Sequence, residues 1–312
     1  MPLVTMSKIL QPAKKQQYGV GAFNLLSMEA VKGALRAAEE LKSPLIMQLA
    51  EVQLDASPMK YMIPMMIQAA KEATVPVAVH YDHGVTFENI IAALKYGCTS
   101  VMFDGASLPF EENVKITKEI TMIAHAMGAD CEAELGVVGG AEAGSNHDLE
   151  ETLTDVNQAA EFVERTGCDF LAVAIGNAHG PYVKKPNLRM DRLQKINEAV
   201  PVPLVLHGGS GISDEDFRTT ITKGICKINV ATSLQQNVIL KVNNACRACW
   251  KNGLSYTDLV NQLESGVYDE VTKHIKIFMS DNKAKNDGCR QGCISGDMVK
   301  AITREVLRAM NQ

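Results

Sequence analysis

Eight short apolar runs recur along the chain, and a stretch with helical periodicity separates each run from the next. The runs cover residues 19–24, 44–50, 75–83, 100–105, 131–136, 170–176, 203–209 and 226–232. Several are nearly continuous in aliphatic side chains, which is typical of strands buried on both faces. The intervening segments 88–97, 111–128 and 155–167 each end in glycine, a frequent helix terminator.

Eight strands alternating with helices over about 250 residues predict an α/β fold, a single (β/α)₈ or TIM barrel. A doubly wound open sheet is the alternative, and the strand number favours the barrel because eight strands are enough to close one. Residues 233–278 are predicted to be a helical C-terminal extension. Residues 281–296 are polar and glycine-rich, which indicates a linker or loose segment before a last helix over 297–310.

The composition is that of an ordinary globular protein, with 46% hydrophobic residues, 21% charged residues and a net charge of −5. Because the chain has no basic stripe and no apolar run near the ~20 residues that span a bilayer, we expect neither nucleic-acid nor membrane partners. The N-terminal segment has no apolar signal-peptide core, so a cytoplasmic location is expected. The eight cysteines are then expected to be mostly reduced thiols. The pairs Cys246/Cys249 and Cys289/Cys293 could together bind a metal, but their spacing favours spare thiols.

Three of the seven histidines precede a glycine, and each lies at the carboxyl end of a predicted strand. His83 ends the third strand, His179 follows the sixth and His207 ends the seventh. Because barrel enzymes carry their chemistry at the carboxyl ends of the strands, we expect the three imidazoles to face one mouth. Three imidazoles with a fourth position open are typical of a catalytic zinc site. The alternative is that each is a hydrogen-bonded histidine that merely ends a strand.

Carboxylates collect at the same predicted end: Asp82 adjoins His83, Asp104 ends the fourth strand and Glu134 ends the fifth. A carboxylate beside a metal can transfer protons or orient a ligand, and the alternative for each is an ordinary structural hydrogen bond. His80 shares a strand face with Asp82, which favours packing or an orienting contact over ligation. Lys227 is the one lysine inside an apolar strand run, where a desolvated amine could act as a nucleophile, but the three histidines make that role unnecessary.

Small and hydroxyl residues dominate the ends of the last two strands. They are Gly208, Gly209 and Ser210 after the seventh strand and Asn229, Val230, Ala231 and Thr232 at the end of the eighth. Barrels commonly bind phosphate at this position through backbone N–H groups and hydroxyls. Glycine-rich loops also arise for purely geometric reasons, so this pattern alone leaves both interpretations open.

At these residues the chain resembles the class II fructose/tagatose-bisphosphate aldolase family. The resemblance spans residues 1–284 and leaves 285–312 as a C-terminal tail without a match. It is carried by the motifs GAFN (21–24), YDHG (81–84), SVMFDGASLPFEEN (100–113), EAELGVVGGAE (132–142), LAVAIGNAHG (171–180), PLVLHGGSG (203–211) and GICKINVAT (224–232). Their combination is far more specific than any one motif.

The resemblance implies a zinc-dependent lyase that reversibly cleaves a ketose phosphate to dihydroxyacetone phosphate and an aldehyde. It implies zinc ligation by His83, His179 and His207, with Glu134 and Asp104 as further candidates. Asp82 would handle the C4 hydroxyl proton, and Glu142 would exchange the C1 proton of the ketone. The segments implied to hold substrate contain Asn24, Gly180, Gly208, Gly209, Ser210, Asn229, Val230, Ala231 and Thr232. Family members often bind a monovalent cation, Na⁺ or K⁺, and many are homodimers or homotetramers.

Departures from the family pattern concern the aldehyde side. Tyr81 stands where an apolar residue is usual, Leu108 replaces a frequent histidine, and Glu51 and Val52 follow the second strand where many members carry a hydroxyl and a glycine. At the position of Ala231 the chain resembles tagatose-bisphosphate enzymes, which tend to have alanine there, whereas fructose-bisphosphate enzymes tend to have aspartate. We therefore expect a tagatose-type or related ketose-phosphate aldolase, with a glycolytic fructose-bisphosphate aldolase as the alternative.

Two other kinds of protein on the same fold are alternatives: a metal-dependent hydrolase and a non-catalytic partner subunit. Metal-dependent hydrolases on the same barrel commonly carry a His-x-His pair on the first strand, and the first run here is GVGAFN. A non-catalytic partner subunit should have lost metal-binding or proton-transfer residues, and all of these are present. Both observations favour an enzyme with aldolase chemistry.

Overall fold

The structure, a computed structural model, describes residues 2–140, 153–180, 186–248 and 253–284. Eight strands in this part of the chain form a closed parallel barrel, which confirms the predicted TIM-barrel fold. Two further two-residue strands lie at its mouth. In chain order the strands are β1 Val20–Asn24, β2 Leu45–Ala50, β3 Val77–Gly84, β4 Ser100–Phe103, β5 Asp130–Leu135, β6 Gly139–Gly140, β7 Phe170–Val173, β8 Ala178–His179, β9 Leu204–Leu206 and β10 Ile225–Val230.

The barrel strands follow one another around the wall in the order of the chain. β1 pairs with β2, each later barrel strand pairs with the one before it, and β10 closes the ring by pairing with β1. All of these pairings are parallel, as helical crossovers between successive strands require. The carboxyl ends of all eight strands therefore surround one mouth.

Helices cover the outside of the barrel. They are α1 Met6–Gln16, α2 Met28–Glu40, α3 Met59–Glu72, α4 Phe87–Tyr96, α5 Phe110–Ala126, α6 Val156–Thr166, α7 Met190–Ala199, α8 Asp214–Thr222, α9 Thr232–Ala248 and α10 Tyr256–Ile277. Several begin at a serine or aspartate that accepts a backbone N–H hydrogen bond, as Ser27 and Asp155 do. None of the described helices is long and apolar enough to cross a membrane.

The core has two apolar layers that follow the alternation of side chains along each strand. One layer lies between strands and helices; on β3 it receives Val77, Val79 and Tyr81. The other fills the amino end of the barrel, where Ala78 packs with residues of β1, β7 and β9. Helix α1, which the sequence pattern did not predict, closes this end with Met6, Ile9 and Leu10. Barrels of this kind carry their chemistry at the opposite, carboxyl end of the strands.

The C-terminal extension is helical as predicted, and α10 packs against α2 and α9. The predicted boundary between a barrel over 1–284 and a tail over 285–312 stays a prediction, because the tail and its Cys289 and Cys293 lie outside the described residues. Among the described cysteines, Cys98, Cys131, Cys168 and Cys226 are buried free thiols and Cys246 is an exposed one.

Candidate active site

The structure brings the three predicted histidines together at the mouth of the barrel. One ring nitrogen from each of His83, His179 and His207 lies within 4.8 Å of the others. The ring centroid of His83 is 4.5 Å from that of His207 and 5.0 Å from that of His179. The side chain of Asn177 donates to the carbonyl of His207 at 3.0 Å, which ties the segment before His179 to the end of β9.

A bulge in β3 explains how two consecutive residues, Asp82 and His83, both reach the site. Regular alternation would direct them to opposite faces of the sheet. The register against β4 shifts between Tyr81 and Gly84, and His83 has a φ of 46°, in the left-handed region. Gly84 completes the bend, because a Cβ there would lie 2.5 Å from the carbonyl oxygen of Met102.

Carboxylates orient two of the three imidazoles. Asp104 Oδ2 lies 2.9 Å from His83 Nδ1, and Glu132 Oε1 lies 2.9 Å from His207 Nε2. The remaining nitrogens of these rings, His83 Nε2 and His207 Nδ1, lie 2.9 Å from each other. A carboxylate behind an imidazole fixes its tautomer and orientation, so both rings present their other nitrogen to the same point.

Opposing charges act on these imidazoles. Burial disfavours a charge on His83, but the carboxylates of Asp82, Asp104 and Glu134 outweigh it and raise its pKa to about 10. Burial and the adjacent His83 hold the pKa of His207 well below its ordinary value. A protonated His83 beside a neutral His207 agrees with the short contact between their facing nitrogens.

Glu134 lies beside the same point, and the residue is only 2% exposed. Its Oε2 is 3.5 Å from His207 Nδ1 and accepts no hydrogen bond from the described residues. Burial, with the neighbouring Asp104, raises the pKa of Glu134 well above its ordinary value. Ionised Glu134 would therefore need a positive charge beside it.

The donor set fits zinc. Tetrahedral zinc with Zn–N bonds of about 2.0–2.1 Å holds its ligand nitrogens about 3.3 Å apart. The facing nitrogens of His83 and His207 are 2.9 Å apart, and one nitrogen from each of the three rings lies within 4.8 Å of the others. Four carboxylates, those of Asp82, Asp104, Glu132 and Glu134, surround the histidines, and Lys227 is the one lysine among the described residues that pairs with them. This excess of negative charge suits a divalent cation. Asp104 also groups with His83 and Glu134 as an alternative set of ligands.

Asp82 sits below the histidines in a cradle of side-chain amides. Its Oδ1 accepts from Asn229 Nδ2 at 3.0 Å, and its Oδ2 accepts from Gln48 Nε2 at 3.1 Å and from Asn24 Nδ2 at 3.5 Å. Burial opposes ionisation, but the charges of His83 and Lys227 outweigh it and lower the pKa of Asp82. Asn24 and Asn229, which were predicted to bind substrate, thus contact the predicted acid/base.

A buried ion pair beneath the site was not assigned a role by the sequence analysis. Lys227 Nζ lies 2.8 Å from Glu132 Oε2, and both side chains are inaccessible to solvent. His80 lies 3.6 Å from the same oxygen, and its Nδ1 is 2.7 Å from Ser100 Oγ. Burial and the charge of Lys227 lower the pKa of His80 to about 3, so the ring is neutral. The sequence did offer a signal for Glu132. It is two residues from Glu134, and side chains two residues apart on a strand point to the same face.

The segments predicted to hold phosphate also meet at the mouth. Ser210, after β9, accepts the backbone N–H of Ser233 at 3.0 Å, which joins this loop to the first turn of α9. Gly208 has a φ of 65°, and a Cβ there would lie 2.1 Å from the carbonyl oxygen of Ala178. Thr232 begins α9 directly after Ala231. Loop amides and a helix N-terminus at one place are suited to an anion.

Glu142, predicted to exchange a substrate proton, lies outside the described residues. The last described strand before it, β6, pairs with β8: Gly139 lies opposite Ala178 and Gly140 opposite His179. The chain therefore enters the Glu142 segment from a position beside one of the three histidines.

Comparison with known proteins agrees with this geometry. Residues 4–283 match the family model described as fructose-bisphosphate aldolase class-II. The chain is 41% identical over 278 residues to the protein YdjI of Escherichia coli K12, covering 88% of this chain and 96% of that protein. The crystal structure of the YdjI aldolase superposes with a TM-score of 0.79 at 37% identity, covering 91% of this chain and 100% of that one.

Two other relatives carry substrate names. A sulfofructosephosphate aldolase of Alkalicoccus urumqiensis is 36% identical over 292 residues, covering 91% of this chain and 99% of that protein. A probable fructose-bisphosphate aldolase of Bacillus subtilis is 43% identical over 245 residues, covering 75% and 83%. The closed eight-stranded barrel places the chain in the class of TIM-barrel proteins, whose active sites lie at the carboxyl ends of the strands. Within that class, the chain belongs to the class II fructose-bisphosphate aldolase family, and it is an aldolase, a lyase of sugar phosphates.

Proposed function

We propose that the protein is a zinc-dependent aldolase that reversibly cleaves a phosphorylated ketose to dihydroxyacetone phosphate and an aldehyde. The observation that carries the proposal is the convergence of three imidazoles beside a buried carboxylate held by amides. Cleavage between C3 and C4 must remove the C4 hydroxyl proton and accommodate negative charge on the ketone half. The three imidazoles would hold a metal that accommodates the negative charge, and the carboxylate of Asp82 would accept the proton.

His83, His179 and His207 would hold the metal, with Glu134 close enough to join or assist them. Zinc bound there would supply a Lewis acid for the negative charge on the ketone half. Asp104 and Glu132 keep two of the rings in the required orientation. Their role is electrostatic as well, since they increase the electron density of the imidazoles they contact.

Asp82 would take the C4 hydroxyl proton during cleavage and return it during condensation. Amide donors to both of its oxygens favour the ionised form, which is the form a base requires. It immediately precedes His83 in the sequence and shares its bulge, so the base and a metal ligand keep a fixed separation. A fixed position supports this role, because proton transfer needs the base within hydrogen-bond reach of the hydroxyl.

For the ketone half, we propose that Glu142 exchanges the C1 proton. We assign its phosphate to Gly180, Gly208, Gly209, Ser210 and the segment Asn229–Val230–Ala231–Thr232, with Na⁺ or K⁺ beside it. The hydrogen bond from Ser233 to Ser210 supports this assignment, because it brings two of these segments into one site. We further propose a homodimer or homotetramer that acts in the cytoplasm, which size-exclusion chromatography with light scattering and cell fractionation would test.

For the substrate, we propose a tagatose-1,6-bisphosphate-like ketose or a related ketose phosphate. Ala231 supports this, because a carboxylate there would contact one hydroxyl epimer and an unpaired buried polar group costs ~1–3 kcal/mol. Glu51, at the end of β2, supports a changed aldehyde side. The fructose-bisphosphate aldolase of glycolysis is the second candidate, and several relatives with that name favour it. A relative named for sulfofructose phosphate adds a third substrate to be compared.

Metal content of variants tests the zinc site. His83→Ala, His179→Ala and His207→Ala should each lower bound zinc, measured by mass spectrometry of the purified protein, and abolish cleavage. His125→Ala is the matched control, because His125 lies on α5 and pairs with Asp169 at a half-exposed position. Full zinc occupancy with unchanged turnover in all three variants would refute the assignment.

Steady-state kinetics test the substrate. The panel contains tagatose and fructose 1,6-bisphosphates, ketose 1-phosphates and sulfofructose phosphate, with condensation of dihydroxyacetone phosphate and aldehydes as the reverse reaction. A preference of about a hundredfold or more for fructose 1,6-bisphosphate, roughly 2.7 kcal/mol in transition-state binding, would overturn the tagatose-type proposal. No turnover with any of them would instead favour a non-catalytic partner subunit.

Solvent exchange tests Glu142 separately. The Glu142→Ala variant should exchange the C1 proton of dihydroxyacetone phosphate with solvent much more slowly than the unchanged protein. Exchange at the normal rate would remove Glu142 from the mechanism while leaving the zinc site and Asp82 untouched.

A further inference from the structure

The Glu51 carboxylate is the centre of a hydrogen-bond cluster beside the site, outside the barrel wall. Glu51 follows β2 directly and starts a single 3₁₀ turn, Glu51–Gln53. Five donors reach its two oxygens: Tyr81 Oη at 3.1 Å, Val85 N at 2.8 Å, Thr86 N at 3.3 Å, Thr86 Oγ1 at 2.8 Å and Asn89 Nδ2 at 3.0 Å. One surface carboxylate is thus almost fully used in binding a neighbouring segment.

The donors lie on both sides of the β3 bulge. Tyr81 immediately precedes Asp82 and His83, whereas Val85 and Thr86 follow Gly84. The carboxylate therefore bridges the two ends of the bulge and connects them to β2. Tyr81 is fully buried between the barrel and the helices, so its hydroxyl approaches Glu51 from a fixed direction.

The bulge needs such support because its conformation is intrinsically unfavourable. A non-glycine residue with φ near 46° is strained by roughly 1–3 kcal/mol and persists only when its surroundings hold it. Relaxation of His83 toward an ordinary extended conformation would turn its ring away from His179 and His207. The alternation of the strand would then direct it toward the outer layer, where Tyr81 already packs.

We infer that Glu51 and Tyr81 form a positioning clamp that keeps the bulged His83 aimed at the metal. Glu51 touches neither the histidine rings nor Asp82 in any described contact, so it acts through the backbone of 81–86. The inference rests on the proposed function, in which His83 is a metal ligand.

Glu51→Gln tests the clamp with little change in side-chain volume. It replaces one of the two acceptor oxygens with an amide donor, so hydrogen bonds to that oxygen are lost. Tyr81→Phe removes a single donor and should act in the same direction with a smaller effect. Glu88→Gln is the matched control, since Glu88 is an exposed carboxylate in the first turn of α4. Each variant is loaded with Co²⁺ for its absorption spectrum and with Zn²⁺ for affinity by chelator competition, and metal-free protein is examined by hydrogen–deuterium exchange.

Loss of the clamp should weaken zinc binding by about tenfold or more, the usual range for groups that orient a ligand. The Co²⁺ spectrum of Glu51→Gln should change, and amides of residues 81–89 should exchange faster in the metal-free protein, while Glu88→Gln matches the unchanged protein. Wild-type zinc affinity and spectrum in Glu51→Gln would overturn the inference, even if its melting temperature falls. Failure of the unchanged protein to bind either metal, or normal binding by His83→Ala, would instead refute the proposed zinc site.

Discussion

Replacing Lys227 with methionine should destabilise the protein far more than replacing an exposed lysine with the same pairing distance. Lys227 Nζ lies 2.8 Å from Glu132 Oε2 and 3.9 Å from Asp82 Oδ1, and its side chain has no solvent exposure. Methionine preserves length and apolar volume but leaves Glu132 as a buried carboxylate without its cation. Removing one partner of a buried pair costs about 3–5 kcal/mol, because the remaining charge stays desolvated.

Lys32 provides the control. Its Nζ also lies 2.8 Å from a carboxylate oxygen, of Glu264, but its side chain is 53% exposed. An exposed pair contributes about 0.2–1 kcal/mol. Because the two ion pairs have the same N–O distance, the difference in stability between Lys227→Met and Lys32→Met measures the effect of burial.

Urea and thermal unfolding of metal-free protein would measure both variants without a contribution from bound metal. At about 2–4 °C per kcal/mol for a large domain, Lys227→Met should melt roughly 6–20 °C lower, and Lys32→Met at most a few degrees lower. The double variant Glu132→Gln/Lys227→Met should lose less than the sum of the two single changes, by at least about 1 kcal/mol. Equal effects of Lys227→Met and Lys32→Met, or strict additivity in the double variant, would refute the argument from desolvation.

Three further outcomes are expected. Asp82→Asn should lower kcat by about 10²–10⁴ while bound zinc stays unchanged, and a loss below tenfold would exclude Asp82 as the base. Burial opposes ionisation of Glu51, but hydrogen bonds from Val85, Asn89 and Thr86 together outweigh it and lower its pKa. The stabilisation by the ionised carboxylate is therefore complete above its ordinary pKa of 4.5 and is lost as the pH falls further. The stability difference between the unchanged protein and Glu51→Gln should therefore shrink below about pH 4.5, and a pH-independent difference would contradict this. Gly208→Ala should cost roughly 1–3 kcal/mol from its positive φ alone and more from contact with the Ala178 carbonyl oxygen; unfolding at the normal urea concentration would show that the loop adapts freely.

Much of this molecule could be predicted from its sequence because the signals are local. Continuous apolar runs indicate strands buried on both faces, and their number and alternation with helices predict a closed barrel. The carboxyl ends of parallel strands share one mouth, so His83, His179 and His207 could be expected to meet without any knowledge of distances. The same reasoning placed Asp82, Asp104 and Glu134 near them.

Other features were decided only by tertiary structure, because they depend on registers and contacts between distant segments. Alternation along β3 predicts opposite faces for Asp82 and His83, and the register shift against β4 is what turns both toward the site. Lys227 and Glu132 are 95 residues apart, and only closure of the barrel places them 2.8 Å from each other. Glu51 and Tyr81 appeared in the sequence as two separate departures from the family pattern. Their hydrogen bond joins them because β2 and β3 pair in parallel up to Ala50 and Asp82, which places the residue after β2 beside Tyr81. No local periodicity encodes that contact.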